Sequence, residues 1–279
     1  MSNEMITDLP SQSTGMLDWT PPVPPTNLIF DDGEPLETPR HRIAMNTLIR
    51  SLQHAWADRS DVYVGGNMFV YYSSTQVKNQ DFRGPDFFAV CNVDGNRPRQ
   101  GWVIWEEGGR YPDVIIELLS TSTAETDRGV KKQLYERVFR TPDYFIFDPF
   151  DANSLEGWHL DTSKGYQPIA KDHRGWLWCE TLGLWLGTWE GVIDREPPTG
   201  TCHWARFYDK SGKIVPLPEE SAEHRGVLRS LLRLLQSRFG SIPMDVEPCL
   251  KAMEVEQLEE LVVVSGTVSS FEEFKNRIS

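Results

Sequence analysis

Cysteines are few in this sequence, and long apolar runs are absent. Only four cysteines occur among the 279 residues, far apart and without a Cys-x-x-Cys pair, so the sequence indicates neither a disulfide framework nor a structural zinc site. No apolar run approaches the roughly 18 residues that a membrane-spanning helix requires. Because the acidic N-terminus also lacks the basic and apolar segments of a signal peptide, we expect a cytoplasmic protein with no membrane association.

Positive charge is also scarce, since 28 Lys and Arg stand against 41 Asp and Glu and give a net charge of −13. This excess of negative charge argues against a broad positive surface that binds nucleic acid electrostatically. The acidic excess lies at the two ends of the chain: residues 1–39 carry seven carboxylates and no Lys or Arg, and residues 219–279 carry a further net −4. The nearly neutral middle can still bind a phosphate backbone locally.

Three regions differ in composition, and we interpret them as an N-terminal tail, a core and a C-terminal unit. Residues 1–37 are acidic and contain the run PPVPP, which favours extended polyproline geometry. Residues 38–220 alternate strand and helix patterns, whereas residues 221–279 carry leucine stripes at helical spacing. A chain of this length has room for a main domain with an appendage.

The pattern in the core predicts an α/β fold. Thr38-Pro39 is typical of a helix start, and apolar residues at helical spacing extend this helix to about residue 57. Alternation around Gly65-Gly66 in residues 62–72 predicts a hairpin or a bulged strand, and the tryptophan-rich residues 154–208 predict an added β-meander. The order of helix, strands, helix and strand indicates a mixed β-sheet flanked by helices.

A second helix is predicted over residues 127–140. Val130, Leu134 and Val138 share one side of an α-helical wheel, so we expect this side to face the sheet. Lys131 is next to this apolar side, at its edge, where a long side chain can extend toward nearby carboxylates.

Glu117 and Asp86 are the best candidates for a metal site. Glu117 lies inside the apolar pattern VIIELL (114–119), where a charge is costly unless it is paired or binds a cation. Asp86 follows Gly84-Pro85 at the entrance of the apolar run FFAV (87–90). Carboxylates from neighbouring strands can hold Mg²⁺ and leave positions for water and a phosphate oxygen.

Asp113 also follows a proline, but it is a poor partner for Glu117. The two residues are four positions apart on one strand, which corresponds to about 13 Å and is too far for one ion to bridge. We therefore expect Asp86 to be the partner of Glu117.

These residues resemble the Uma-type family of endonucleases, within the PD-(D/E)xK restriction-endonuclease-like superfamily. The resemblance runs from about Pro39 to Glu220. Its densest parts are GPDFFAV (84–90), PDVIIELLSTST (112–123), the spaced residues Asp127, Lys131 and Tyr135, and TPDYFIFDP (141–149). The family pattern has an aspartate after proline, a glutamate in a V-E-V/I-L-S strand, and D-x-x-x-K-x-x-x-Y on a helix.

The resemblance implies a restriction-endonuclease-like α/β fold and an endonuclease that hydrolyses DNA phosphodiester bonds with Mg²⁺ or Mn²⁺. Asp86 and Glu117 would be the metal ligands, and together with Lys131 they would be the catalytic residues. The superfamily lysine usually lies two residues after the glutamate, where this sequence has Leu119, so Lys131 would replace it. Lys132 points about 100° away around the helix. Because a double-strand cut requires two active sites, we expect a homodimer.

Structural explanations remain open for the three candidates. Glu117 could be satisfied in the core by a neighbouring Arg or Tyr, and Asp86 could cap a turn. Lys131 could be a solvated residue paired with Asp127 at i,i+4.

Three further residues are candidates for supporting roles. Tyr135 shares the helical face of Lys131 and fits a core position, while His41 in the first helical turn fits a structural or supporting position. Glu37 would be a third carboxylate on the metal side.

The C-terminal unit offers no catalytic constellation. Residues 222–279 resemble a helical domain of unknown function that follows nuclease-like cores in bacterial proteins, so we expect a role in interaction or oligomerisation. For the whole chain two functions stay open: a metal-dependent endodeoxyribonuclease, and a catalytically weak or inactive nuclease-fold protein that acts as a binding or assembly module. The binding or assembly module is favoured by the acidic composition and by Leu119, which stands where the superfamily usually has its lysine. The nuclease is favoured by the presence of Asp86, Glu117 and Lys131 together.

Overall fold

A computed structural model of the chain describes residues 25, 26, 28, 38–73, 75, 84–194, 196 and 200–278. The predicted acidic tail falls almost entirely outside these residues, as does Glu37. No helix in the described part of the chain combines the length and the hydrophobicity needed to cross a membrane.

A six-stranded mixed sheet forms the centre of the fold. The strands in chain order are β1 (Val62–Gly65), β2 (Val70–Tyr71), β3 (Phe87–Cys91), β4 (Trp102–Val103), β5 (Val114–Leu118), β6 (Asp143–Phe147), β7 (Glu156–Asp161), β8 (Gly165–Pro168), β9 (Leu177–Cys179), β10 (Leu184–Gly191) and β11 (Cys202–Tyr208). The central sheet has the order β1-β3-β5-β6-β7-β8, in which only β5 and β6 are parallel. This confirms the expected mixed sheet.

Six helices are present in the described residues. They are α1 (Pro39–Ala55), α2 (the consecutive segments Ala124–Thr126, Asp127–Lys131, Lys132–Leu134 and Tyr135–Phe139), α3 (Pro218–Phe239), α4 (Val246–Ala252), α5 (Val255–Thr267) and α6 (Phe271–Lys275). Helix α2 provides the crossover that a parallel pair such as β5 and β6 requires. The start of α1 agrees with the sequence, because the Thr38 side chain accepts a hydrogen bond from the His41 N–H and proline follows Thr38.

Hydrophobic cores cover both faces of the central sheet. On one face, α1 and the antiparallel sheet β11-β10-β9 pack against alternate side chains of β3, β5 and β6. On the other face, Tyr135 and Phe139 of α2 pack with Phe88, Ile115 and Tyr144. Strands β3, β5 and β6 are therefore buried on both sides, which explains why their sequences are nearly continuous apolar runs.

The prediction of a hairpin or a bulged strand over residues 62–72 is wrong. Strand β1 pairs with β3, whereas β2 pairs with β4 in a separate parallel pair. Gly66 follows β1 because the chain passes very close to the residue before β3: a Cβ on Gly66 would lie 1.9 Å from the Asp86 carbonyl oxygen. Gly66 therefore reflects a close backbone approach and not a hairpin turn.

The tryptophan-rich segment is divided between two sheets. Strands β7 and β8 extend the central sheet, and β9, β10 and β11 form the second sheet that covers α1. The predicted packing of this segment on the core is confirmed, although the segment is not one continuous meander.

The C-terminal helices have a hydrophobic cluster of their own. Its buried members come only from α3 to α6 and the segments that join them: Leu228, Leu231, Leu235, Val246, Leu250, Leu258, Leu261, Val268 and Phe274. Helix α3 begins at Pro218, three residues before the predicted change at Ser221. Its first turn is tied to the core, since Glu219 pairs with Arg50 at 2.6 Å and Glu220 pairs with the buried Arg206 at 2.7 Å.

Candidate active site

Asp86 and Glu117 lie side by side on adjacent antiparallel strands. Phe87 is opposite Ile116 in the register of β3 and β5, and this places Asp86, just before β3, beside Glu117. The Asp86 N–H donates to Glu117 Oε2 at 3.4 Å, and the Leu118 N–H donates to Asp86 Oδ2 at 2.7 Å. The structure thus brings together the two carboxylates that the sequence paired.

The segment after β1 fixes the backbone of Asp86. The Asn67 N–H donates to the carbonyl of Pro85 at 2.9 Å, and Gly66 lies directly against the Asp86 carbonyl oxygen. Because Asp86 is held from both sides, by this segment and by Leu118, its carboxylate is positioned without help from a ligand.

Helix α2 aligns four residues at intervals of four. Asp127, Lys131, Tyr135 and Phe139 lie on its inner side, whereas Val130 is 61% exposed. In a regular α-helix each four-residue step rotates by about 40°, so three steps would carry Phe139 about 120° away from Asp127. The segments Asp127–Lys131 and Tyr135–Phe139 are π-helical, and their wider turns cancel this drift.

The predicted apolar face of this helix is therefore wrong. Val130 and Val138 are exposed, and of the three predicted residues only the half-buried Leu134 packs against the core on this side of the sheet. Lys131 does not extend from the edge of an apolar face. It belongs to the inner row itself, between Asp127 and Tyr135.

Lys131 forms ion pairs with two buried carboxylates. Its Nζ lies 3.2 Å from Glu117 Oε1 and 2.8 Å from Asp127 Oδ1. The pairing with Asp127 that offered a structural explanation is thus present together with the predicted approach to Glu117. Asp127 Oδ1 has no hydrogen-bond donor in the described structure besides this ion pair, so Lys131 is its main source of compensation.

The hydroxyl of Tyr135 also contacts Glu117. It donates a 2.7 Å hydrogen bond to Glu117 Oε1, the same oxygen that faces Lys131. Tyr135 is fully buried, so it is both a core residue and a hydrogen-bond donor to the candidate site.

The cluster contains more negative than positive groups. Burial raises the pKa of Glu117 to about 8, and the nearby carboxylates of Asp86 and Asp127 add to the increase against the opposing effect of Lys131. Burial also raises the pKa of Asp86 to about 6. For Lys131 burial alone would lower the pKa, but Glu117 and Asp127 outweigh it and raise the pKa above its usual value. Lys131 therefore stays protonated at neutral pH, and the carboxyl groups of Glu117 and Asp86 ionise less readily than exposed carboxyl groups.

His41 and Lys132 lie beside the carboxylate and lysine cluster. Nε2 of His41 lies 3.0 Å from the carbonyl oxygen of Leu119, just after β5, and Nδ1 lies 2.8 Å from Thr38 Oγ1. His41 thus connects the start of α1 to the end of the Glu117 strand, as a structural support would. The ammonium of Lys132 lies 3.6 Å from the centre of the Trp158 ring, away from Glu117.

Asp113 is separate from this cluster. Its Oδ2 accepts a 2.8 Å hydrogen bond from the Cys91 N–H and lies 3.2 Å from Arg110. These contacts give Asp113 a structural role at the opposite end of β5.

Asp127 is the member of the cluster that sequence reasoning used only as a partner of Lys131. Its side chain is almost fully buried, beside the same lysine that contacts Glu117. The strict four-residue spacing of Asp127, Lys131 and Tyr135 could have indicated that Asp127 belongs to the cluster. Residues at equal intervals of four share one face when a helix winds more loosely than an α-helix.

The residues present fit a divalent cation held by two protein carboxylates. The described residues contain no group of three or more His, Cys, Asp or Glu side chains arranged as metal ligands. Mg²⁺ commonly binds one or two carboxylates and completes its octahedron with water and substrate phosphate oxygens. The charges also fit, because the three carboxyl groups, once ionised, and the one ammonium leave two negative charges for a divalent cation to neutralise.

Comparison with known families identifies one match. The family model Uma2, described as "Putative restriction endonuclease", matches residues 19–189, more than half of the chain. The matched range contains β3, β5 and α2, and therefore all members of the carboxylate and lysine cluster. No curated protein matches the chain.

Proposed function

Since the chain belongs to the Uma2 family of restriction-endonuclease-like proteins, we propose that it is an endonuclease that hydrolyses DNA phosphodiester bonds with Mg²⁺ or Mn²⁺. Asp86 and Glu117 hold the metal ion, and Lys131 is the catalytic lysine. His41 and Tyr135 support the site through Leu119 and Glu117.

The convergence of three elements supports this proposal. Asp86 comes from the start of β3, Glu117 from β5 and Lys131 from α2, and all three meet in one compact cluster. A structural ion pair would need only two of these groups. The third carboxylate, Asp127, increases the negative charge and makes the cluster more costly without a cation.

The protonation state of Lys131 defines its role. An ammonium whose pKa is raised does not accept a proton from water at neutral pH, so Lys131 acts by donating hydrogen bonds to the charge that develops on the phosphate oxygens. The bound metal ion would supply Lewis-acid polarisation of the phosphate and lower the pKa of a bound water. Tyr135 and Leu118 hold the two carboxylates in place through their O–H and N–H groups.

Cleavage of supercoiled plasmid DNA tests this proposal. The wild type should nick or linearise the plasmid with Mg²⁺ or Mn²⁺ and stop when EDTA is added. Glu117→Gln should reduce the rate at least about 100-fold, because it removes a metal ligand while keeping the side-chain shape. Asp113→Asn is the matched control, since this carboxylate directly precedes β5 and lies outside the cluster, and the cleavage rate of this variant should stay near that of the wild type. Equal cleavage by the wild type and Glu117→Gln would contradict the nuclease function.

A binding or assembly module is the second candidate function. It is favoured by the contacts of Glu117, which is satisfied without a metal by Lys131 and Tyr135, and by the net charge of −13. In this case the protein would bind DNA or a protein partner with no metal-dependent turnover, and Glu117→Gln would leave binding unchanged.

Assembly follows from the nuclease function. A double-strand cut requires two active sites, so we expect a homodimer acting in the cytoplasm. Sedimentation of the wild type with and without duplex DNA measures this directly, and a monomer under both conditions would limit the enzyme to single-strand nicks.

A further inference from the structure

Helix α3 carries a row of three arginines along one exposed side. Arg225, Arg229 and Arg233 are spaced at i,i+4, so they lie on one face and are about 6 Å apart along the helix axis. We call these three residues the arginine stripe. Together with Gln236 they line an open groove of about 550 Å³, whose far wall includes Glu247 of α4.

The arginine stripe has no partner in the described part of the chain. None of its three guanidinium groups forms an ion pair or a side-chain hydrogen bond there, unlike Arg50 and Arg206, which bind the glutamates of the first turn of α3. The acidic residue across the groove is also occupied, since Glu247 pairs with Lys251 at 2.7 Å.

The neighbouring acidic residues of α3 do not compensate the stripe. Glu223 lies about 160° around the helix from Arg225, on the opposite side. Residues 219–279 have a net charge of −4, yet three of their seven basic residues are concentrated on this one face and left uncompensated. Like charges at i,i+4 are mildly destabilising in an isolated helix, so an anionic ligand that contacts all three arginines would relieve this repulsion.

We propose that the arginine stripe binds the phosphodiester backbone of duplex DNA. The ligand must present repeated negative charge over at least about 12 Å, the axial length of the stripe, and one strand of a duplex presents a phosphate about every 3.4 Å along its axis. The groove is open and the arginines are exposed, which suits an extended polyanion better than an enclosed small anion. Guanidinium groups bind phosphate oxygens in bidentate geometry. The choice of DNA as the polyanion rests on the proposed nuclease function.

The arginine stripe is a second contact, outside the carboxylate cluster. Helix α1 carries His41 near its start, beside Leu119, and His54 near its end, where His54 contacts Ser221 in the first turn of α3. These two histidines are about 20 Å apart along the helix axis. The stripe therefore supplies affinity for the backbone and leaves the chemistry to the residues near Glu117.

Equilibrium binding without metal tests this inference. The full-length protein is titrated into a fluorescently labelled 30-base-pair duplex in EDTA, at several salt concentrations, and anisotropy is measured. The variant Arg225→Gln, Arg229→Gln, Arg233→Gln should bind at least about 10-fold more weakly, and the slope of log K against log salt should fall by about 2 to 3. The control Lys164→Gln, Lys171→Gln, Lys210→Gln loses the same charge from exposed sites elsewhere and should change affinity less than threefold.

Further variants keep the outcomes distinct. The variant Arg225→Lys, Arg229→Lys, Arg233→Lys retains the charge of the stripe and should keep most of the slope of log K against log salt. Far-ultraviolet circular dichroism of each variant checks that α3 remains folded. Unchanged affinity and slope in the glutamine variant would overturn the inference, as would a wild type that does not bind the duplex in EDTA. A change in oligomeric state with unchanged DNA affinity would also overturn it and assign the stripe to a second copy of the chain. This experiment measures DNA binding and not cleavage. Its result can therefore be interpreted even if the plasmid test with Glu117→Gln contradicts the nuclease function.

Discussion

The ammonium of Lys131 lies 3.2 Å from Glu117 Oε1, although the lysine belongs to helix α2 and the glutamate to the centre of the sheet. The same ammonium lies 2.8 Å from Asp127 on its own helix. One lysine therefore serves two buried carboxylates at once. A surface ion pair of the ordinary i,i+4 type would contact only one of them.

Replacing Lys131 by alanine should remove catalysis and leave metal binding. The ammonium donates to developing charge, so Lys131→Ala should lower the cleavage rate about 100-fold or more. Mg²⁺ binding, measured by isothermal titration calorimetry, should persist because both carboxylate ligands remain. Lys132→Ala is the matched control: its side chain lies over Trp158, and it should cleave nearly as fast as the wild type. A larger loss for Lys132→Ala would show that Lys131 is only a structural ion pair.

The metal-free protein should become less stable as the pH rises from about 5 to 8. Glu117 and Asp86 have raised pKa values in the folded state, so the folded protein binds more protons than the unfolded chain in this range. Their favourable contribution is present below the unfolded pKa values and is lost as the pH rises through the folded ones. We expect a loss on the order of 2 kcal/mol in the free energy of unfolding.

Urea denaturation in EDTA measures this dependence, and Glu117→Gln is the informative variant. It should be less sensitive to pH than the wild type and more stable at pH 8. Adding Mg²⁺ should restore the stability of the wild type at pH 8 and have little effect on Glu117→Gln. A wild type whose stability in EDTA rises between pH 5 and 8 would show that the carboxyl groups are ionised in the folded protein.

Removing the hydroxyl of Tyr135 should weaken the site and the fold together. Tyr135→Phe deletes the 2.7 Å hydrogen bond to Glu117 and should lower the free energy of unfolding by about 1–3 kcal/mol. The pKa of Glu117 should increase, because this hydrogen bond favours its ionised form. Tyr166→Phe loses a comparable hydrogen bond, to the Thr141 carbonyl, and should destabilise the protein without changing its pH dependence. Identical pH profiles for the two variants would place Tyr135 in the core alone.

Gly66 should be required for the position of Asp86. A methyl group at residue 66 would lie 1.9 Å from the Asp86 carbonyl oxygen, so Gly66→Ala forces the backbone before β3 to shift. We expect at least a 10-fold loss of cleavage and a lower melting temperature. Gly84→Ala is a suitable comparison, since its added Cβ would meet its nearest neighbour at 3.5 Å, an ordinary contact. Wild-type cleavage by Gly66→Ala would show that Asp86 tolerates displacement.

The core should fold without most of the C-terminal unit. A protein that ends after Glu220 keeps the residues of the ion pairs from Arg50 to Glu219 and from Arg206 to Glu220. It loses the contact of His54 with Ser221 and the helices whose hydrophobic cluster is their own. It should stay soluble, melt cooperatively and bind Mg²⁺ as the full chain does. Insoluble protein would indicate that the helical unit belongs to the core.

Much of the candidate site could be predicted because it depends on local sequence. Glu117 stands out as a charge in an apolar strand, and Asp86 precedes the next apolar run, so pairing the two strands brings the carboxylates together. Lys131 follows from the spacing of the family pattern. The burial of Lys131 was not predicted, because the helical wheel of residues 127–140 assumed 3.6 residues per turn. The π-helical turns of α2 change the direction of each later side chain.

The differences between the predicted and the observed fold arise from contacts between segments that are distant in the sequence. The pair Gly65-Gly66 has the composition of a hairpin turn. Gly66 is required for a different reason, because the Asp86 carbonyl oxygen leaves no room for a Cβ at this position. The anchoring of α3 by Arg206 and Arg50 depends on contacts between distant segments, which a single sequence does not reveal.

The winding of α2 has a consequence for how this site can change. Since the inner row repeats about every four residues, the insertion or deletion of one residue would turn Lys131 away from Glu117 while leaving every side chain of the cluster present. Substitutions on the outer side, where Val130 and Gly129 face open space, leave that phase intact. The helix therefore tolerates replacement far better than it tolerates a change in length, and its spacing is as much a determinant of the chemistry as the identity of its residues.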